Sequence, residues 1–556
     1  MSTNVPFNDL FDTASSVASL RIDSILHDID TDQHEVRIAF QDLSGKQAST
    51  TLLRSQLRRP GDVLAKLMDR GWNAPADPSA AKAAVERMLR VPAPGISKVT
   101  SRHGWHGTNT YVHQAWTAGE EAGHLSYERA SGDDDRAFLS AGSLEAWREG
   151  LAGPCRWSRF LTTGIAAAFA GPLLDLISEG EGALFHFHGD SSTGKTGVLR
   201  CAASVYGRAG KNDLPTFNMT DTAIDEMCVR RSDLCVLLDE EGQDPAGPDR
   251  RKSIAFKVAG GSGKSRSKSV KYHLPNSSWK VTGLTSGETP LDSVSGRARL
   301  RGEQARYIDI PVPPEAEGGI FDRRWSSRRS SPTQLIAEAE ATIQANYGVA
   351  LRPWVEWLLG QRAEAMEEVQ ILRARFIVTV GAEEQAWETR FANKFGLLYA
   401  AADLAARAGV APWTPLFGRL SVLGTYRVAR RQIASSGCGV SSFLAAVRTA
   451  MDEGRIPTLP AGRKLPDGLR NRAVGFQRTI GIGSVVALDP GWVRGVAGSD
   501  VACHVLRAQL KEAGHLAMNG PKGGTQIQVQ GFPGSNRRRW LTLRYDAFSL
   551  AFLKSS

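Results

Sequence analysis

Apolar and polar positions alternate with a period of two in HEVRIAF, STTLL and NTYVHQAW, which predicts short strands within residues 1–135. One helical stretch near 78–90 interrupts them, so a small mixed α+β domain is expected there. After the acidic turn SGDDDR the pattern changes. Ser143 stands where the N-cap of a predicted helix, SLEAWREGL, should be. Strand and helix signals then alternate to residue 312, the pattern of a parallel sheet with crossover helices, so the fold class is α/β. The loop GGIFDRRWSSRRSSPTQ closes that region, and Ala/Leu/Glu-rich stretches over 333–408 predict a helical subdomain. Near the C-terminus DVACHVLRAQLKEAGHLA reads as a helix, and TQIQVQ, GFPGSNRR and RWLTLRY as a hairpin with a basic tip. Helix followed by hairpin is the order of a winged helix. The expected division is 1–135 (mixed α+β), 136–312 (parallel-sheet α/β core), 313–430 (helical lid and linker) and 431–556 (winged helix).

A length of 556 residues calls for several domains, and 42% hydrophobic with 23% charged residues is a globular composition. The longest apolar window, FLTTGIAAAFAGPLLDLI (160–177), falls short of the roughly 20 apolar residues of a membrane span and reads as a buried helix. The opening MSTNVPFNDLFDTASS has no basic-then-apolar export pattern. Six cysteines (Cys155, Cys201, Cys228, Cys235, Cys438, Cys503) form no CxxC pair, which fits a reducing cytoplasm. His103, His106, His113 and His124 cluster without companion ligands, so packing is expected of them rather than zinc. From Pro415 to Ser556 there are 20 Lys and Arg against 7 Asp and Glu, a net +13; the rest of the chain carries −3 of the total +10. That asymmetry points to a polyanion-binding C-terminal module, against the alternative of a solvated basic surface.

The candidate chemistry begins at FHFHGDSSTGKTGVL (185–199). Gly189, Asp190, Ser191, Ser192, Thr193, Gly194, Lys195 and Thr196 satisfy GxxxxGK[ST] between a predicted strand and a predicted helix. The glycines let backbone amides turn toward phosphate oxygens, and the helix adds its positive end. Lys195 would reach the β/γ phosphates and Thr196 would ligate Mg²⁺, which makes ATP and Mg²⁺ the expected cofactors. In LCVLLDEEG (234–242) a buried strand delivers Asp239 to hold the metal and Glu240 to polarise water. A third strand, WKVTGLTSGE, ends in hydroxyls. In additional-strand ATPases a polar residue there contacts the γ-phosphate or the water, so Thr285 or Ser286 is a candidate, against a plain strand-end turn. SGRARLRGEQARYIDIPV then supplies Arg306 and Arg301 as candidates to reach a neighbouring subunit's ATP; Arg297 and Arg299 fit a solvated or DNA-facing surface. Between them GGSGKS fails as a second phosphate loop. Lys264, Arg266, Lys268 and Lys271 alternate with small residues, as a phosphate-tracking hairpin or a plain surface loop would.

HGDSSTGKT with AASVYG, SLEAWR with AAFAGPLL, VLLDE, GSGKSR, LTSGE, GEQARYIDIP and GIFD together resemble the family named domain of unknown function 927, from about Gly104 to near Ala406. Its members occur in prophages and chromosomal cassette elements, and those understood best look like hexameric replicative helicases related to the minichromosome maintenance group. The resemblance implies an AAA+ P-loop ATPase core, ATP hydrolysis at subunit interfaces and translocation along DNA. It places Lys195 and Thr196 at Walker A and Asp239 and Glu240 at Walker B. GSGKSR then falls in a pore hairpin, Arg306 before the terminal core strand, and Arg390 where related helicases carry a lid arginine, against ordinary helix packing. Gly197 departs from the pattern, since a second hydroxyl commonly follows Thr196, and no primase motif precedes the core.

The reading that results is an ATP-dependent DNA helicase of a mobile element. It would be a homo-oligomer, hexameric by resemblance, with single-stranded DNA in its pore and duplex at the C-terminal domain through Arg537, Arg538 and Arg539. A separate primase or initiator would be a partner, and no membrane is involved. The alternatives are an AAA+ loader or remodeller, and a nucleotide-controlled DNA-binding initiator. A small-molecule kinase would need neither a trans arginine nor a basic tail.

Overall fold

The computed structural model describes residues 19–92, 95–128, 136–177, 182–210, 212–239, 248–263, 278–290, 305–323, 331–383, 386–435, 440–460, 463–469, 472–480, 483–497, 500–517 and 540–545. The N-terminal region contains β1 (Arg21–Asp28), β2 (Gln33–Gln41), β3 (Gln47–Leu53), α1 (Pro60–Asp69), α2 (Pro78–Arg90), β4 (Ile96–Thr100), β5 (Gly104–His106), β6 (Thr110–His113), β7 (Trp116–Gly119) and β8 (Leu125–Tyr127). Its main sheet runs β3-β2-β1-β4-β8. Alternation along β2 buries Val36, Ile38 and Phe40 on one face, where Val63 and Leu67 of α1 and Ala84, Val85 and Met88 of α2 cover them. Asp77 caps α2 by accepting from the amides of Ser79 and Ala80 at 3.1 and 3.2 Å. The sequence reading found α2 but not α1, because Pro60-Gly61 looks like a turn; Pro60 instead occupies the first helical position, where its missing amide costs nothing.

Strands β5, β6 and β7 form a separate small sheet whose Trp105, Tyr111 and Ala118 join the core of the next region instead. The buried histidines expected to pack do so. His103 stacks near Tyr127 and bonds the Arg230 carbonyl at 2.7 Å, and His113 bonds the Tyr206 carbonyl at 3.2 Å. Burial holds the His113 imidazole down to about 4, so it stays neutral.

The central region comprises α3 (Leu144–Trp157), α4 (Arg159–Ala170), α5 (Leu173–Leu176), β9 (Leu184–His188), α6 (Lys195–Ala203), α7 (Asp221–Arg230), β10 (Leu234–Leu238), α8 (Pro248–Gly260), β11 (Val281–Gly287) and β12 (Tyr307–Pro311). Ser143 caps α3 through its hydroxyl, accepting from the Ala146 amide at 3.2 Å. The four strands are all parallel, in the order β10-β11-β9-β12. Strands buried on both faces are continuous apolar runs, which is why LCVLL shows no alternation. The apolar window is buried as expected but forms two helices rather than one: α4, buried from Phe160 to Ala170, and, after Gly171-Pro172, the short α5. No helix among the described residues is long and apolar enough to cross a membrane.

Five helices follow: α9 (Pro332–Ala345), α10 (Leu351–Gly360), α11 (Arg362–Val380), α12 (Ala386–Arg407) and α13 (Pro415–Ser435). They share one hydrophobic core with the parallel sheet; Phe395 of α12, for example, meets Phe185 of β9 edge to face. The boundary expected at 430/431 falls inside α13. Beyond it lie α14 (Val440–Asp452), β13 (Gly475–Ile480), β14 (Gly483–Leu488), α15 (Pro490–Ala497), α16 (Asp500–Glu512) and β15 (Leu541–Arg544) around a separate core. Here β14 pairs antiparallel with both β13 and β15, and Leu516 bridges to Leu543. The expected helix is α16 and the expected second hairpin strand is β15. TQIQVQ and the tip with Arg537, Arg538 and Arg539 lie outside the described residues.

Candidate functional site at the ends of the parallel strands

Strand β9 ends at His188 and the chain turns at once into the loop 189–194. Gly189, Ser192 and Gly194 all take positive φ (149°, 64° and 92°), which coils the backbone so that α6 begins at Lys195. The loop is braced from behind. The Ile320 amide donates to the Thr193 carbonyl at 3.0 Å, and a Cβ on Gly189 would sit 2.7 Å from the Val312 carbonyl. A side chain on Gly194 would strike Ile320, and one on Gly319 would strike the Thr193 carbonyl. Thus the GIFD segment (319–322) is the back wall of the loop, and Asp322 ties that wall to the start of α4 through an ion pair with Arg159.

Lys195 is buried, and its ammonium donates to the carbonyls of Gly189 (2.9 Å) and Asp190 (2.6 Å) and to the Thr193 hydroxyl (3.3 Å). Burial lowers its pKa, while Glu288, Asp190 and Asp239 pull it back up. Asp239, one residue beyond β10, receives the Thr196 hydroxyl at 3.2 Å and the Ser286 hydroxyl on the same oxygen, Oδ1. Its own amide is pinned to the Pro215 carbonyl at 2.9 Å. Three segments distant in sequence therefore converge on one carboxylate beside the loop. Two rotatable hydroxyls and a carboxylate with a further oxygen form a hard-oxygen donor set that suits Mg²⁺.

Of the two hydroxyls at the end of β11, only Ser286 turns toward Asp239. Thr285 pairs in register with His186 and meets its Nδ1 at 2.8 Å, while His186 Nε2 meets the Thr289 carbonyl at 3.0 Å. Arg306 precedes β12 and its carbonyl accepts from Leu184 at the start of β9, so it lies at the end of the sheet opposite its own loop. Arg390 is exposed as the fifth residue of α12 and makes no hydrogen bond or ion pair among the described residues. Glu240, Lys264, Arg266, Lys268, Lys271, Arg297, Arg299 and Arg301 lie outside the described residues. The departure at Gly197 has a packing reason: a Cβ there would sit 2.8 Å from Ile336 Cδ1 of α9. Arg200 on the same helix pairs with Glu340 of α9 at 2.5 Å, fixing α9 against α6.

The family model described as domain of unknown function (DUF927) matches residues 10–271. The match begins well before Gly104 and takes in the loop and Asp239. It ends before β11, so LTSGE, GEQARYIDIP and GIFD lie beyond it. The structure described as "SCCmec type IV Cch - active helicase" is similar over 96% of this chain and 94% of that one, with a TM-score of 0.59 and 14% identity. At that identity the likeness is one of fold, and it runs through the N-terminal, central, helical and C-terminal regions alike. The structure described as "The A form apo structure of NrS-1 C terminal region-CTR" covers 73% of this chain and 91% of that one at 10% identity, with a TM-score of 0.27, too low for any argument. No curated protein matches the chain.

Sequence reasoning missed Ile320, Gly319 and Glu288 as parts of the site. GIFD and LTSGE are visible as motifs, but their roles depend on which segments meet in space.

Proposed function

We propose that this chain is an AAA+ ATPase that works as an ATP-dependent DNA helicase or translocase of a mobile genetic element, assembling as a ring, by resemblance a hexamer. The observation that carries the reading is the convergence of Thr196 and Ser286 on Asp239 beside the Gly189–Thr196 loop. The strand β11 inserted between β9 and β10 supports it, because an additional strand at that place brings a polar side chain to the phosphate end of the site. The similar structure described as an active helicase supplies the output to be tested.

In this reading Lys195 leaves the loop carbonyls and binds the β/γ phosphates, while the loop amides and the start of α6 take the remaining oxygens. Mg²⁺, held by Thr196 and Asp239, would offset the charge that develops on the leaving phosphate. Glu240 orients the attacking water, and Ser286 holds Asp239 in place. Arg306 cannot serve its own loop from the opposite end of the sheet. Five strand residues of about 3.3 Å each separate the two ends, so in this reading Arg306 acts on the nucleotide of a neighbouring subunit. The basic segment at 264–271 and the arginines at 537–539 would carry DNA, the latter through phosphate contacts.

The test is unwinding of forked DNA by the full-length protein with ATP, with a nonhydrolysable analogue, and for Glu240→Gln. Unwinding only with ATP, lost in Glu240→Gln, supports the proposal. ATP hydrolysis stimulated by DNA but without unwinding would replace it by a loader or remodeller.

A further inference from the structure

Glu288 follows the last residue of β11 and has no place in the scheme above. Its carboxylate accepts the hydroxyl of Ser191, in the middle of the phosphate loop. The placement of Glu288 is built. A carbonyl only accepts, so His186 Nε2 carries the proton toward Thr289, and Nδ1 takes the proton of the Thr285 hydroxyl. His186 is fully buried in β9, so the strand that leads into the loop also holds the chain on both sides of Glu288. Glu288 itself is exposed, as is Ser191, so the contact is at the open rim of the site. The rim carboxylates of Glu288 and Asp190, with the buried carboxylate of Asp239, thus already act on the Lys195 ammonium.

A polyphosphate arriving there meets like charge. We propose that Glu288 is a latch on the phosphate loop, holding Ser191 in the nucleotide-free protein and surrendering it when phosphate enters. The Ser191 hydroxyl keeps its proton and exchanges one acceptor, the carboxylate, for another, a phosphate oxygen. The freed Glu288 then marks the loaded state at the chain that leaves β11. The proposal rests on the loop being a nucleoside triphosphate site.

The experiment measures binding of a nonhydrolysable ATP analogue and of ADP to the full chain by calorimetry. Glu288→Gln keeps the side chain's size but loosens the latch, because a neutral amide oxygen holds the Ser191 hydroxyl less tightly than a carboxylate does. It is expected to tighten the analogue about three- to tenfold, the diphosphate less, with the gain shrinking as salt rises. In a Ser191→Ala background the latch has nothing to hold, so the same substitution should gain much less. Unchanged or weaker binding by Glu288→Gln, with unaltered melting, overturns the latch. Equal gains in both backgrounds overturn it too, and reduce Glu288 to a nearby charge. Lys195→Ala separates the two levels: if it binds the analogue normally, the triphosphate site itself fails. If it loses binding while Glu288→Gln changes nothing, only the latch fails.

Discussion

Strand β10 has an aspartate just outside each end, and the two live in opposite circumstances. Asp239 borders the Gly189–Thr196 loop and accepts two hydroxyls on one oxygen. Asp233 lies under the small β5–β7 sheet, 2% exposed, with φ 58°. Its Oδ2 accepts the Trp105 amide at 2.9 Å, and its Oδ1 has no hydrogen-bond partner among the described residues. The Tyr111 hydroxyl donates to its carbonyl, and Arg362 lies over the Trp105 ring that closes the site. Burial pushes the Asp233 carboxyl up to about 7. A carboxylate held by hydroxyls can trade them for a cation, because hydroxyls rotate and accept as well as donate. One sealed under aromatic rings and a fixed amide can only gain or lose a proton. The same residue type on one strand thus makes a site at one end and a joint at the other, and the neighbours decide which.

The comparison breaks first at the site end. Lys195→Ala should lower ATP turnover by roughly 100-fold or more, since a charge aimed at the developing phosphate is lost. A steady-state assay that finds near-normal turnover would remove the site. Ser286→Ala should cost about tenfold in turnover, the scale of one hydrogen bond to a charged group. Thr285→Ala should leave turnover nearly unchanged and lower the melting temperature, because its hydroxyl serves His186. Reversed effects would exchange their roles. At the joint end, Asp233→Asn should spare hydrolysis and act on stability alone. The folded carboxyl titrates near 7 against an ordinary value of 3.8, so stability present at low pH is lost as pH rises from about 4 through 7. The variant should therefore gain on the wild type at pH 8 and not at pH 4, by roughly 2–4 °C for each kcal/mol recovered. A pH-independent difference in melting would deny Asp233 its raised pKa. The smallest effect belongs to Gly197→Ala, whose Cβ meets only the movable end of Ile336; a loss of about 1 kcal/mol or less is expected from thermal melting.

Local features were legible in the sequence. The loop is one contiguous spacing, the Ser143 cap is a short-range signal, and the window that makes α4 and α5 is predominantly apolar. What failed to show was whatever depends on register or on distant segments. Thr285 and Ser286 are both hydroxyls at a strand end, and only pairing with β9 and β10 turns one to His186 and the other to Asp239. Trp105 and Tyr111 sit in a stretch that alternates like the N-terminal strands, yet they bury against Pro172 and Asp233. Gly319 reads as a loop glycine until Thr193 is found against it. In the C-terminal region the helix α16 and strand β15 were legible, whereas the β13–β14 pair was not recognised.

In the proposed function Asp239, with Thr196, completes a Mg²⁺–ATP site on the Gly189–Thr196 loop. Calorimetric titration of the full chain with a nonhydrolysable ATP analogue, with and without Mg²⁺, tests it for wild type and Asp239→Asn. The account expects Mg²⁺ to tighten binding to the wild type and to do so far less for the variant, with both still folded. Equal Mg²⁺ dependence in the two proteins would contradict it.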